Sequence, residues 1–169
     1  MKVELQIPES LKDITLGQYQ KFQKIEEPTN EDLLTTFLNV DINVIRNIKQ
    51  SEFDRLVAHI NSLFEAKQKH QLKFNLKGVS MGFIPNLDDI SYGENKDLTT
   101  YISDWKTMHR AMSVLYRPIE LSRRGKYTIQ EYEGTRESEQ YKQMPLSVVM
   151  GAMVFFYNLT NALLKAIPN

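Results

Sequence analysis

Apolar and polar residues alternate from Lys2 to Ile7, with Val3, Leu5 and Ile7 set against Lys2, Glu4 and Gln6. A period of two predicts a half-buried strand over 2–7, which Pro8 ends. Thr15 and Gln18 have the spacing of a capping box, and Tyr19, Phe22 and Ile25 behind them predict a short helix. Glu26-Glu27-Pro28 stops it. Thr29-Asn30-Glu31-Asp32 opens a second helix carrying Leu33, Leu34, Phe37 and Leu38. Asn39 to Asn43 reads as a break, followed by a helical turn through Val44, Ile45 and Ile48. With Ser51 as its cap, a helix over 51–67 keeps Phe53, Leu56, Val57, Ile60, Leu63 and Phe64 on one face.

Leu72, Phe74 and Leu76 then alternate with Lys73, Asn75 and Lys77, and a further run extends from Val79 to Ile84. The two predict a hairpin over 72–84 that turns near Lys77-Gly78, with the N-terminal strand as a third member of the sheet. A lone hairpin is marginal, so the sheet is expected to lie against helices. Ser91 and Glu94 repeat the capping box, and a stripe from Leu98 through Trp105, Met108 and Met112 to Tyr116 predicts one long helix over 91–117. Pro118 closes it. Residues 120–143 are rich in charge and read as a protruding arm, within which Tyr127, Ile129 and Tyr132 hint at a short strand. From Pro145 to Leu164 no residue is charged, which predicts a final helix over 145–167.

One local pattern occurs twice. Ile84-Pro85-Asn86-Leu87-Asp88-Asp89-Ile90-Ser91-Tyr92-Gly93-Glu94 has a near copy in the stretch from Ile7 to Gln18, longer by one residue after the proline. Both copies read as joints that end a strand and start a helix.

These elements define a single α+β domain over 1–169, mostly helical with a small antiparallel sheet. An apolar content of 41% and a charged content of 25% are those of a globular chain. Lysine plus arginine and aspartate plus glutamate both number 21, so the balance favours neither nucleic acid nor an anionic membrane. With no cysteine, disulfides, thiolate metal sites and cysteine nucleophiles are excluded. The first residues lack the apolar core of a secretory signal. The uncharged run at 145–164 has the length of a bilayer span, but Ser147, Asn158, Thr160 and Asn161 are costly in hydrocarbon and favour a buried helix.

No catalytic constellation emerges, and the chain is expected to be a non-enzyme without cofactor or metal. His59, His70 and His109 lack the spacing of a metal site; His109 is expected to be packed and hydrogen-bonded, and His70 to end a helix. Asp88 to Thr99 fails the cation-loop pattern, because Ile90 and Tyr92 occupy ligand places and Thr99 stands where a glutamate belongs. No phosphate-binding glycine loop occurs. Arg123, Arg124 and Lys126 form a short basic run, and Tyr127, Tyr132 and Tyr141 offer large contact area with polar tips. These six are the candidates for partner contact.

Three pieces, MGFIPNLDDISYGENKDL, YISDWKTMHRAMSVLYRPI and YKQMPLSVVMGAMVFFYNLTNAL, together resemble a family of small virion proteins of crAss-like and related tailed bacteriophages of Bacteroidales. The resemblance runs from about Leu33 onward and is most specific over 82–119. It implies a structural protein at the portal vertex or head–tail junction, made in the host cytoplasm, present in several copies and bound to portal, capsid or ring proteins. No active-site residue carries over. Residues 33–64, with LNVDINVIRNIKQSEFDRLV, also resemble the helical part of phage tail-assembly chaperones, which implies transient binding to another phage protein.

Overall fold

The computed structural model describes the backbone of residues 3–166 and the side chains of residues 3–159. Its N-terminal part is helical: α1 (Leu16–Gln23), α2 (Asn30–Phe37), the short α3 (Ile42–Arg46) and α4 (Gln50–Glu65). Thr15 and Thr29 each accept a bond from the amide three residues on, and the Gln18 and Asp32 side chains each accept one from the cap amide. Both capping boxes are therefore complete. Asn39, at φ 52°, turns the chain out of α2, and Asp41 caps α3. α4 begins ahead of the expected cap: Lys49 takes that place without a side-chain bond, and Ser51 lies in the first turn. Its buried edge is Leu56, Ile60 and Leu63, with Phe53, Val57 and Phe64 packed beside them. Tyr19, Phe22, Phe37, Phe64 and Trp105 join these helices through ring contacts of 4.7 to 5.8 Å between centroids.

The rest of the chain supplies β1 (Lys73–Leu76), β2 (Val79–Phe83), α5 (Tyr92–Tyr101), α6 (Met108–Leu115), β3 (Tyr116–Arg123), β4 (Lys126–Ile129) and α7 (Leu146–Ala166). The strands form one antiparallel sheet in the order β1-β2-β3-β4. Both hairpins turn through two residues with positive φ, Lys77-Gly78 and Arg124-Gly125, as tight turns matched to strand twist require. Seven of the eight residues of α6 are buried, and the amide of Ile84 donates to the carbonyl of Leu115 at 2.9 Å, tying the end of that helix to the sheet.

Three expectations are corrected. Residues 3–8 form no strand, and the third strand is β3, whose residues Tyr116 to Pro118 occupy the free edge of β2. Leu5 and Ile7 instead rest half-buried against the core, and His59 Nε2 donates to the Pro8 carbonyl at 2.7 Å. The predicted helix over 91–117 is two helices. Asp104 accepts from the Lys106 amide, and the Thr107 hydroxyl donates to the carbonyls of Tyr101 and Asp104. These local bonds compete with the helical ladder and break it. Pro118 then sits within β3, next to a register shift between Ile119 and Leu121, where a residue without an amide is tolerated.

The third correction concerns the charged arm at 120–143. Its first part is the outer hairpin, and its last part, Ser138–Gln143, is a 3₁₀ helix with Ser138 and Tyr141 buried. Between them, residues 130–137 are exposed except for the half-buried Tyr132 and Thr135. Leu146, Val148, Val149 and Ala152 of α7 enter the core, whereas Val154, Tyr157 and Leu159 are exposed. Among the described residues, no helix is long and apolar enough to cross a membrane. The predicted end of that helix at 167 lies outside the described residues.

Candidate protein-contact surfaces

The six partner-contact candidates separate into two groups. Arg123, Arg124 and Lys126 stand exposed at the tip of the β3–β4 hairpin, held there by the Arg123↔Lys126 pair and the two positive-φ residues between them. Leu121, 70% exposed on the same hairpin, adds an apolar side chain to this basic tip. The three tyrosines face inward.

Tyr127 donates its hydroxyl to the Phe83 carbonyl at 2.7 Å, and its ring lies over Gly82, whose missing side chain leaves the space. Burial raises its pKa. Tyr132 donates to the Asp97 carboxylate and lies under the Arg117 guanidinium, 5.5 Å from centroid to carbon. Burial first, and then the Asp97 carboxylate, push its hydroxyl well above the usual phenol range. Tyr141 is 4% exposed and donates to the Tyr116 carbonyl at 2.6 Å, with burial pushing its pKa up to about 12. Tyr116 in turn donates to the Gln71 carbonyl at 2.6 Å. Tyr141 is thus a core residue and is withdrawn as a contact candidate. Its neighbours Glu139 and Lys142 carry the charge that makes its segment look solvent-facing in the sequence, although they pair with each other.

Arg117 is the residue that periodicity missed, because it was expected at the end of a helix. Its Nη2 pairs with Glu94 at 2.7 Å, its Nε donates to the Gln130 carbonyl, and its Nη1 donates to the Val114 carbonyl. All three nitrogens bond within the fold, so the surface clefts of about 320 and 490 Å³ beside it find the guanidinium engaged. Glu94 is the capping glutamate of α5 as well, accepting from the Ser91 amide at 2.6 Å. Arg117 and Glu94 join α5, the α6–β3 junction and the segment after β4.

The histidines are structural in their contacts. Gln20 donates its amide to the Trp105 carbonyl at 2.8 Å and to His109 Nδ1 at 3.0 Å, which leaves the ring proton on Nε2, 3.6 Å from Glu139. His109 is thus packed and hydrogen-bonded as the sequence indicated. His70 differs from expectation: it lies beyond α4, stacked on Phe155 at 4.4 Å and edge-on to Phe83 at 4.5 Å. Among the described residues, no cluster of histidine, aspartate and glutamate is arranged to hold a metal ion. Asn86 accepts from the Asp88 amide and donates to the Asp89 carboxylate, so these acids belong to a 3₁₀ turn.

Among the described residues, large apolar side chains are exposed at Leu121 beside the basic hairpin tip, at Val154, Tyr157 and Leu159 of α7, and singly at Val3, Leu72, Val79 and Tyr92. Compared with protein-family models, with curated proteins and with solved structures, the chain gives no significant match.

Proposed function

We propose that this chain is a non-enzymatic structural protein of a tailed-bacteriophage virion, held at the portal vertex or head–tail region by protein–protein contacts. The observation that carries the reading is the stretch of α7 from Val154 to Leu159. The helix enters the core through Leu146, Val148, Val149 and Ala152, while Val154, Tyr157 and Leu159 beyond them are exposed and offer apolar area that a neighbouring chain would cover. The basic tip of the outer hairpin supplies a second, chemically different handle. Both fit a small component wedged between other chains, and the resemblance of three segments to virion proteins of crAss-like phages points to the same class.

Mass spectrometry of purified particles of the encoding phage tests this. The chain is expected among the particle proteins at a copy number that follows a ring symmetry. Its absence from mature particles, with co-purification of an unassembled phage protein, would sink the structural reading and leave the assembly chaperone.

A further inference from the structure

The N-terminal segment has the side-chain alternation of a strand but pairs with no strand among the described residues. Glu4 and Gln6 are exposed while Leu5 and Ile7 are half-buried. Among the described residues, Val3 to Ile7 make no backbone hydrogen bond, and the first one after them is the His59 contact at Pro8. The edge of β2 that they were expected to join belongs to β3. Beside them lies a groove of about 590 Å³ lined by Val3, Leu5, Asn43, Val44, Asn47 and Ile48, and Val3 is 48% exposed over it. Unpaired backbone groups in an alternating segment are a template for another strand.

We propose that the occupant is the same segment of a second copy, paired antiparallel about a two-fold axis at Leu5. This register sets Val3 opposite Ile7, Glu4 opposite Gln6, and Leu5 opposite its own mate. Every apolar side chain then stays on the core-facing side and no like charges oppose each other. The neighbouring registers are worse. A slip of one residue turns the apolar set outward. A slip of two toward the N-terminus sets Glu4 against Glu4, and a slip of two the other way brings in Pro8, which is buried and has no amide to donate. The two apolar grooves meet along the paired strands, and the zero net charge of the chain does not oppose self-association. The pairing stands whether or not the protein belongs to a virion.

Sedimentation equilibrium of the full chain over a concentration series provides the test. A monomer–dimer equilibrium is expected, with Kd on the order of 10 μM for a small interface. Because positions 4 and 6 face each other twice per dimer, Gln6→Glu is expected to weaken it about 5-fold and Gln6→Lys to tighten it about 5-fold at low salt. Combining Glu4→Lys with Gln6→Glu restores opposite charges and returns the affinity to at least that of the parent chain. Both positions are exposed, so an unchanged circular dichroism spectrum and thermal midpoint separate pairing from folding. A chain that stays monomeric throughout overturns the proposal, as does a dimer indifferent to these charges or weakened equally by either sign.

Discussion

The ring of Tyr127 lies directly over Gly82: a Cβ on Gly82 would stand 2.6 Å from its Cε2 atom and 2.9 Å from Ile119 Cγ1. With the hydroxyl bonded to the Phe83 carbonyl, Tyr127 clamps the outer hairpin onto the sheet. Gly82→Ala forces the ring and Ile119 apart and is expected to cost about 1–3 kcal/mol. Tyr127→Phe removes only the hydroxyl bond, about 1 kcal/mol. Urea denaturation of the single variants and of Gly82→Ala with Tyr127→Ala checks this. The double variant is expected to be less unstable than the sum of its parts, because removing the ring makes room for the methyl.

Gly151 is a closer approach still. A Cβ there would stand 2.1 Å from the Lys69 carbonyl oxygen and 2.8 Å from its carbon, and both are backbone atoms. No rotamer change relieves such a clash, so either α7 or the segment before β1 must move. Gly151→Ala is expected to destabilise by about 3 kcal/mol, at the upper end of overpacking. A thermal melt that leaves the midpoint where it was would refute the contact.

The elements visible in the sequence are those written in local chemistry. The repeated pattern found at 7–18 and 84–94 folds the same way twice. Ser10 and Asn86 cap the 3₁₀ turns Leu11–Asp13 and Leu87–Asp89, Ile14 and Ile90 are extended, and Thr15 and Ser91 complete capping boxes. Only the second copy follows a strand, however, because strand pairing is decided by distant residues. A third helix start, at Pro145, has no such motif and is fixed instead by reciprocal backbone bonds. Leu16 donates to Met144 at 2.9 Å and Leu146 to Ile14 at 2.8 Å. β3 was hidden for a related reason: Leu115 and Tyr116 continue a helical stripe, and only the Tyr116↔Phe83 pairing makes Tyr116 a strand residue. Among the contact candidates, charge density marked the hairpin tip correctly as exposed but could not reveal that Tyr141 points away from its charged neighbours.

The Glu94–Arg117 pair makes a prediction in both mutation and pH. The two side chains are 9% and 12% exposed, so each is nearly desolvated and depends on the other. Arg117→Met leaves Glu94 without its cation and is expected to cost roughly 3 kcal/mol. Burial raises the Glu94 pKa, but the bonds from Ser91 and Arg117 outweigh it, and the net shift is below the ordinary 4.5. A folded pKa lower than the unfolded one gives stability that is complete above pH 4.5 and is lost as the pH falls through the folded value. Glu94→Gln is expected to lower stability at neutral pH and to flatten its acid limb, as chemical denaturation at stepped pH would show.

His70 and His109 place a second, separate step at higher pH. Burial lowers both pKa values from 6.5, and at His109 the nearby Lys142 adds to it while Glu139 opposes it. Neutral imidazole suits each site: Nδ1 of His70 is buried without a partner among the described residues, between Phe83 and Phe155, and Nδ1 of His109 accepts from Gln20. The unfolded chain therefore binds more protons than the folded one just below pH 6.5, and stability falls as the pH drops from there. His70→Phe keeps the ring stack and removes the titration, so it is expected to shrink this step without lowering stability at pH above 6.5 by more than about 1 kcal/mol. His109→Gln removes the titration at the other site. If the midpoint denaturant concentration of the double variant still drops across this range as steeply as that of the parent chain, the two buried histidines are not its source. The Glu94 step, confined to pH below 4.5, is expected to persist unchanged in both histidine variants.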